Sequence, residues 1–80
     1  MTLEHFINTI ALEFDEVAPE NIFPESEFRN LEGWSSMLSL IIISKINKVF
    51  GVTITSQELA ASKTIEDLYK IALSKTQISN

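Results

Sequence analysis

The sequence predicts an all-α fold: a four-helix bundle of three main helices plus a short third helix, with a long loop between helices 1 and 2. Three observations predict it. Apolar residues recur at helical spacing in the first, second and last segments of the chain. Start signals stand at Thr2, Ser35 or Ser36, Thr55 and Thr64, and Gly51 is placed to stop the second helix. Both prolines, Pro19 and Pro24, fall together between the first two periodic segments.

Taken in order, Thr2 caps a first helix expected to run to about Glu16. Its apolar positions Leu3, Phe6, Ile7, Ile10, Ala11 and Phe14 follow the i, i+3, i+4, i+7 stripe, with His5, Asn8, Thr9, Glu13 and Asp15 elsewhere. Residues 17–35 are a long connection by ordinary standards and need a reason to exist. Val17, Ile22, Phe23, Phe28, Leu31 and Trp34 are its apolar anchors, expected to pin it in order over one end of the bundle, with a short turn of helix near Ser26–Asn30. The second helix starts at Ser35 or Ser36 and ends at Phe50, before Gly51. Met37, Leu38, Leu40, Ile41, Ile42, Ile43, Ile46, Val49 and Phe50 exceed the single stripe a surface helix needs, so it is the central helix or shows an apolar face to something else. Its isoleucines would suit a strand, but Lys45, Asn47, Lys48 and the helical stop argue for helix. Val52-Thr53-Ile54 is an extended link. Thr55 and Glu58 have capping-box spacing and open a short third helix to about Ala61. Thr64 starts the last helix, with Asp67 in its first turn and Ile65, Leu68, Tyr69, Ile71 and Ala72 on its inner side. Residues 76–80 read as a frayed, flexible tail.

The 80 residues make one domain, 1–80, near the lower size limit for independent folding. An apolar share of 45% excludes a disordered chain. The absence of cysteine excludes disulfides, thiolate metal sites and a cysteine nucleophile. No apolar run is long enough to span a bilayer, so no membrane insertion is expected. Residues 1–15 are acidic and lack the basic start of a signal peptide, so the default address is cytoplasmic. Charge is unevenly placed: residues 1–32 carry −7, with Arg29 their sole basic residue, and residues 33–80 carry +2. An acidic half repels phosphate backbones and excludes nucleic acid as a natural partner. The asymmetry reads equally as a solvated surface or as a steering field for a partner. One histidine, His5, and scattered acids supply neither a metal site nor a catalytic dyad.

The site of interest is Ser36. It follows the anchored loop, begins the most hydrophobic helix and is preceded by Gly33 and Trp34. A helix N-terminus presents unpaired N–H groups and partial positive charge, which favours a phosphodiester on a serine there. On these residues alone a serine at a helix start also reads simply as a cap. Trp34 reads either as a loop anchor or as a recognition aromatic.

Leu31-Glu32-Gly33-Trp34-Ser35-Ser36-Met37, followed by a helix ending Val49-Phe50-Gly51-Val52-Thr53-Ile54, resembles the acyl carrier protein family in its variant with Trp before the modified-serine motif. The resemblance extends to the first helix, the Pro-containing loop with Phe28, and Thr64-Ile65-Glu66-Asp67-Leu68 at the last helix. It spans nearly the whole chain, though the motif itself is short. The family's Asp-Ser-Leu core maps onto Ser35, Ser36 and Met37. The resemblance therefore implies a four-helix bundle of acyl-carrier type, with covalent 4′-phosphopantetheine, taken from coenzyme A, on Ser36. Ser35 is better explained as the N-cap. The implied protein performs no chemistry of its own; it holds acyl intermediates as thioesters and shuttles them between enzymes. Its implied partners are a phosphopantetheinyl transferase and acyl-loading and acyl-using enzymes, and a monomer is expected.

Trp34, Met37, Leu40 and Ile41 are the candidate docking residues beside the arm, and the second helix's isoleucines fit either packed core or an apolar shelter for cargo between the second and third helices. Two departures from the family matter. Ser35 replaces the aspartate assigned to transferase contact. The second helix carries Lys45 and Lys48 and no acid, where the family shows an acidic face. Partners that read a carboxylate row there should bind poorly, which favours a dedicated biosynthetic pathway, of fatty-acid or polyketide kind, over a generic fatty-acid synthase. Two other readings stand beside this one: a peptidyl or aminoacyl carrier, whose flanking glycine and aspartate are half present through Gly33, and an unmodified small helical protein-interaction domain.

Overall fold

Four α-helices form in the computed structural model, which describes residues 1–76: α1 Leu3–Ala11, α2 Ser36–Phe50, α3 Ser56–Ala61 and α4 Ile65–Thr76. No strand occurs among the described residues. Of the residues expected as a tail at 76–80, Thr76 is the last residue of α4, and residues 77–80 lie outside the described residues. α1 packs on α2 and α4, while short α3 bridges α2 and α4.

The caps explain the helix starts. Thr2 Oγ1 accepts the His5 N–H at 3.1 Å. Thr55 and Glu58 complete a reciprocal capping box at 3.0 and 2.9 Å. Glu58 also meets Lys75 Nζ at 2.7 Å, and this contact, with the Thr55 N–H, holds its carboxyl below the usual range. At α4 the Asp67 N–H donates to Thr64 Oγ1, and the Asp67 carboxylate accepts the N–H groups of Thr64 and Lys63, each at 3.1 Å. Those backbone bonds, Thr64 first, lower the Asp67 carboxyl. Gly51 ends α2 at φ 71°, a left-handed conformation that favours glycine.

α1 is shorter than its periodicity suggests. After Ala11 the backbone tightens: Glu13 N–H bonds to Ile10 O and Phe14 N–H to Ala11 O, at 3.0 and 3.1 Å. Such i→i+3 bonds close the helix early, and Asp15 and Glu16 become loop. Phe14 still turns inward and is buried.

The long loop is ordered by two devices. Ile22 and Phe28 are buried in the core, and Val17, Leu31 and Trp34 pack against it. Phe23 is the exception among the expected anchors: its neighbour Ile22 takes the inward place and Phe23 is exposed. The expected helical turn is a 3₁₀ turn at Phe28–Asn30, and a second one forms at Pro19–Asn21. The loop also supplies acceptors to α4. Ile65 N–H bonds to Ser26 O at 3.1 Å and Glu66 N–H to Pro24 O at 2.9 Å, satisfying two donors that the first turn of a helix leaves open. The core joins Phe6, Ile10, Ile42, Ile46, Ile54, Ile65 and Leu68, with the extended link contributing Val52 and Ile54.

Candidate functional site

The end of the loop aims the start of α2. Trp34 N–H bonds back to Leu31 O at 3.2 Å, closing a turn in which Gly33 takes φ 90°. A side chain there would be strained, so glycine fits the position. Trp34 then lies over Phe28, with ring centroids 5.3 Å apart, and stacks on Phe14 at 6.2 Å. Half-buried, it anchors the loop, and it also lines a cleft beside Ser36.

The two serines divide the work of this turn. Ser35 is the N-cap: extended, with its hydroxyl accepting the Leu38 N–H at 3.1 Å. Ser36 is the first helical residue, exposed, and its hydroxyl takes no hydrogen bond among the described residues. Its carbonyl is held by the Ser39 hydroxyl at 2.6 Å. The N–H groups of Ser36 and Met37 have no protein acceptor among the described residues, and no acidic residue stands in the first turn of α2. A free hydroxyl beside open N–H donors, with no carboxylate in that turn, suits a serine bearing an anionic substituent.

Two surfaces flank Ser36. The cleft between α2 and α3, about 210 Å³, is lined by Arg29, Trp34, Ser36, Ser39, Ser56, Leu59 and Ala60. None of α2's isoleucines lines it. Of the two readings of these isoleucines, packed core holds for Ile42 and Ile46, and Ile43 is half-buried against that core. On the other side lies an exposed apolar patch. Met37 is 71% exposed, Leu40 61% and Ile41 41%, and Leu12, just beyond α1, is 70% exposed. Leu12, Met37 and Ile41 share one depression, and Met37, Leu40 and Ile41 share the next, which ends at Ser44, Lys45 and Lys48. The structure thus brings Met37, Leu40 and Ile41 together and leaves Trp34 on the opposite side of Ser36. Leu12 and Arg29 are the neighbours that sequence reasoning passed over. Leu12 sits one residue past the helical stripe, and Arg29 is the only Lys or Arg before Lys45.

Four helices with a long, pinned first connection, and a free serine opening the second helix, define a helical carrier-type domain. Residues 5–71 match the phosphopantetheine attachment site family, and the chain belongs to that family. No curated protein matches the chain significantly. Domains of this family are the sites of covalent 4′-phosphopantetheine attachment, so this chain is a phosphopantetheine carrier. Such domains are not themselves catalytic; they work with a phosphopantetheinyl transferase and with partner enzymes. Among the described residues no helix is long and apolar enough to cross a membrane.

Proposed function

We propose that this chain is an acyl carrier protein that holds acyl intermediates as thioesters on a 4′-phosphopantetheine arm attached through Ser36 Oγ, and shuttles them between enzymes of a dedicated biosynthetic pathway. The observation that carries the assignment is the division between the two serines. Ser35 spends its hydroxyl on the Leu38 N–H, while Ser36 keeps its own exposed and without a protein partner among the described residues. The arm, when bound, supplies the thiol that carries the acyl group. The protein's residues supply the rest. Open N–H groups at the start of α2 favour the negative charge. Trp34, packed on Phe14 and Phe28, fixes the direction from which the loop enters the helix.

Delivery rests on Met37, Leu40 and Ile41, the exposed apolar patch beside Ser36, with Trp34 bordering the site on its other side. Lys45 and Lys48 continue the patch. Lys45 is paired with Glu13 at 3.7 Å, and Glu13, Asp15, Glu16 and Glu32 line the adjoining depression, so charge of both signs rims the patch. An enzyme that docks here meets it first through an apolar contact, unlike the basic surfaces that suit an acidic second helix. That supports a pathway with its own loading and using enzymes, of fatty-acid or polyketide kind, served by a monomeric carrier in the cytoplasm.

Intact mass after co-expression with a broad-specificity transferase tests the assignment. One phosphopantetheinyl group should be gained by the native chain and by Ser35→Ala, and not by Ser36→Ala. No gain with several transferases sinks the reading in favour of an unmodified interaction domain. Loading with a panel of acyl and aminoacyl donors separates the acyl from the aminoacyl carrier.

A further inference from the structure

Arg29 is out of place in its neighbourhood. It is the sole Lys or Arg among the first 44 residues, and eight carboxylates lie within residues 1–32. Yet it forms no salt bridge with any of them among the described residues. Its guanidinium is held elsewhere: one N–H donates to the Leu59 carbonyl at 3.0 Å, and the group lies 5.0 Å from the centroid of the Phe28 ring. Phe28 is buried, so the platform is fixed. An arginine has five N–H donors in a rigid fork, and the Leu59 bond accounts for one. The remaining donors belong to a residue lining the same cleft as Ser36.

That placement puts a pre-positioned cation on the wall of a cleft that Ser36 also lines. A long flexible side chain in solution loses rotamer entropy when it grips an anion; one already docked on a ring and a carbonyl loses less. The other walls suit a polar chain on an apolar base: Ser39 and Ser56 line them together with Trp34, Leu59 and Ala60.

We propose that Arg29 is a positioning residue that donates to the phosphodiester on Ser36 and so directs the arm into the α2–α3 cleft, away from the Met37–Leu40–Ile41 patch. The inference rests on the assignment of the arm to Ser36 and goes beyond it by naming what holds the arm. The anion is shared between the N–H groups opening α2 and a side chain from the loop. The free phosphodiester lies toward α3, and the docking patch stays open while the arm is held.

The test uses the full chain labelled with ¹⁵N, before and after loading, with ³¹P spectra of the loaded form. Loading should move the Arg29 Nε–H resonance, and the shift should shrink in 1 M salt, where the screening length falls to about 3 Å. The ³¹P resonance should differ from that of the same loaded protein unfolded in urea. In Arg29→Ala it should move toward the unfolded position, and in Arg29→Lys it should keep part of the difference. An Arg29 Nε–H that does not move in the loaded native chain overturns the inference while leaving the carrier assignment intact, and this readout stands even where Arg29→Ala is poorly folded. A chain whose arm is absent, or survives in Ser36→Ala, overturns both.

Discussion

On the inner side of α2, Leu38, Ile42 and Ile46 are buried; on its outer side Met37, Leu40, Ile41 and Val49 stand exposed. The residues are of one kind, and the two sides differ only in register. Leu38, Ile42 and Ile46 recur every four residues, along one row of the helix surface, and meet the core that α1, α4 and the extended link also fill. The outer side has no such covering. Its first two turns are apolar beside Ser36, and its next turns give way to Ser44, Lys45 and Lys48. The core is therefore filled without the outer residues, and the surplus apolar area lies beside Ser36, where we propose that partner enzymes dock.

The largest expected effect follows directly. Ile46→Ala should cost about 2–5 kcal/mol, a large share of the stability of so small a domain. Leu40→Ala should stay within about 0.5 kcal/mol, because nothing packs over it. Urea unfolding of the two variants measures both. Equal costs break the comparison and make the outer side part of the fold.

A smaller effect sharpens the functional half. Replacing Met37 and Ile41 together by alanine should lower acyl delivery to a using enzyme about tenfold, about 1.4 kcal/mol of binding. The thermal midpoint should barely move. Loss of delivery in proportion to loss of stability assigns these residues to packing.

Much of this architecture was legible in the chain because the signals were local. Thr2, Ser35, Thr55 with Glu58, and Gly51 each act within three or four residues, and each took its expected place. Where neighbours distant in sequence decide, local reading fell short. The stripe through Phe14 suggested a longer α1; the chain instead tightens after Ala11 and carries Phe14 to Trp34. Phe23 looked like an anchor equal to Ile22, yet one inward place existed and Ile22 took it. The isoleucines fitted either packed core or a shelter for cargo, and only the folded chain shows Ile42 and Ile46 in the core and a cleft lined by Arg29, Trp34, Ser36 and Ser39 with Ser56, Leu59 and Ala60 of α3. Arg29 and Leu59, thirty residues apart, meet only in the folded chain. At the proposed site, position and resemblance single out Ser36, while the freedom of its hydroxyl shows only in the folded chain.

The smallest effect probes that pair of serines. Ser35→Ala removes the acceptor for the Leu38 N–H and should cost about 1 kcal/mol, with loading retained. Ser36→Ala removes a hydroxyl with no partner among the described residues and should leave stability within about 0.5 kcal/mol while abolishing loading. Ser35→Asp separates capping from recognition. Aspartate caps a helix as well as serine does and adds favourable charge at its N-terminus, so stability should hold or rise by a few tenths of a kcal/mol. It also restores the residue that the acyl carrier resemblance assigns to transferase contact, so loading by a broad-specificity transferase should quicken several-fold in a time course followed by intact mass. If loading stays at the native rate, the serine at this position is there for the helix alone, and the choice of transferase is made elsewhere on the loop or on the Met37–Ile41 patch.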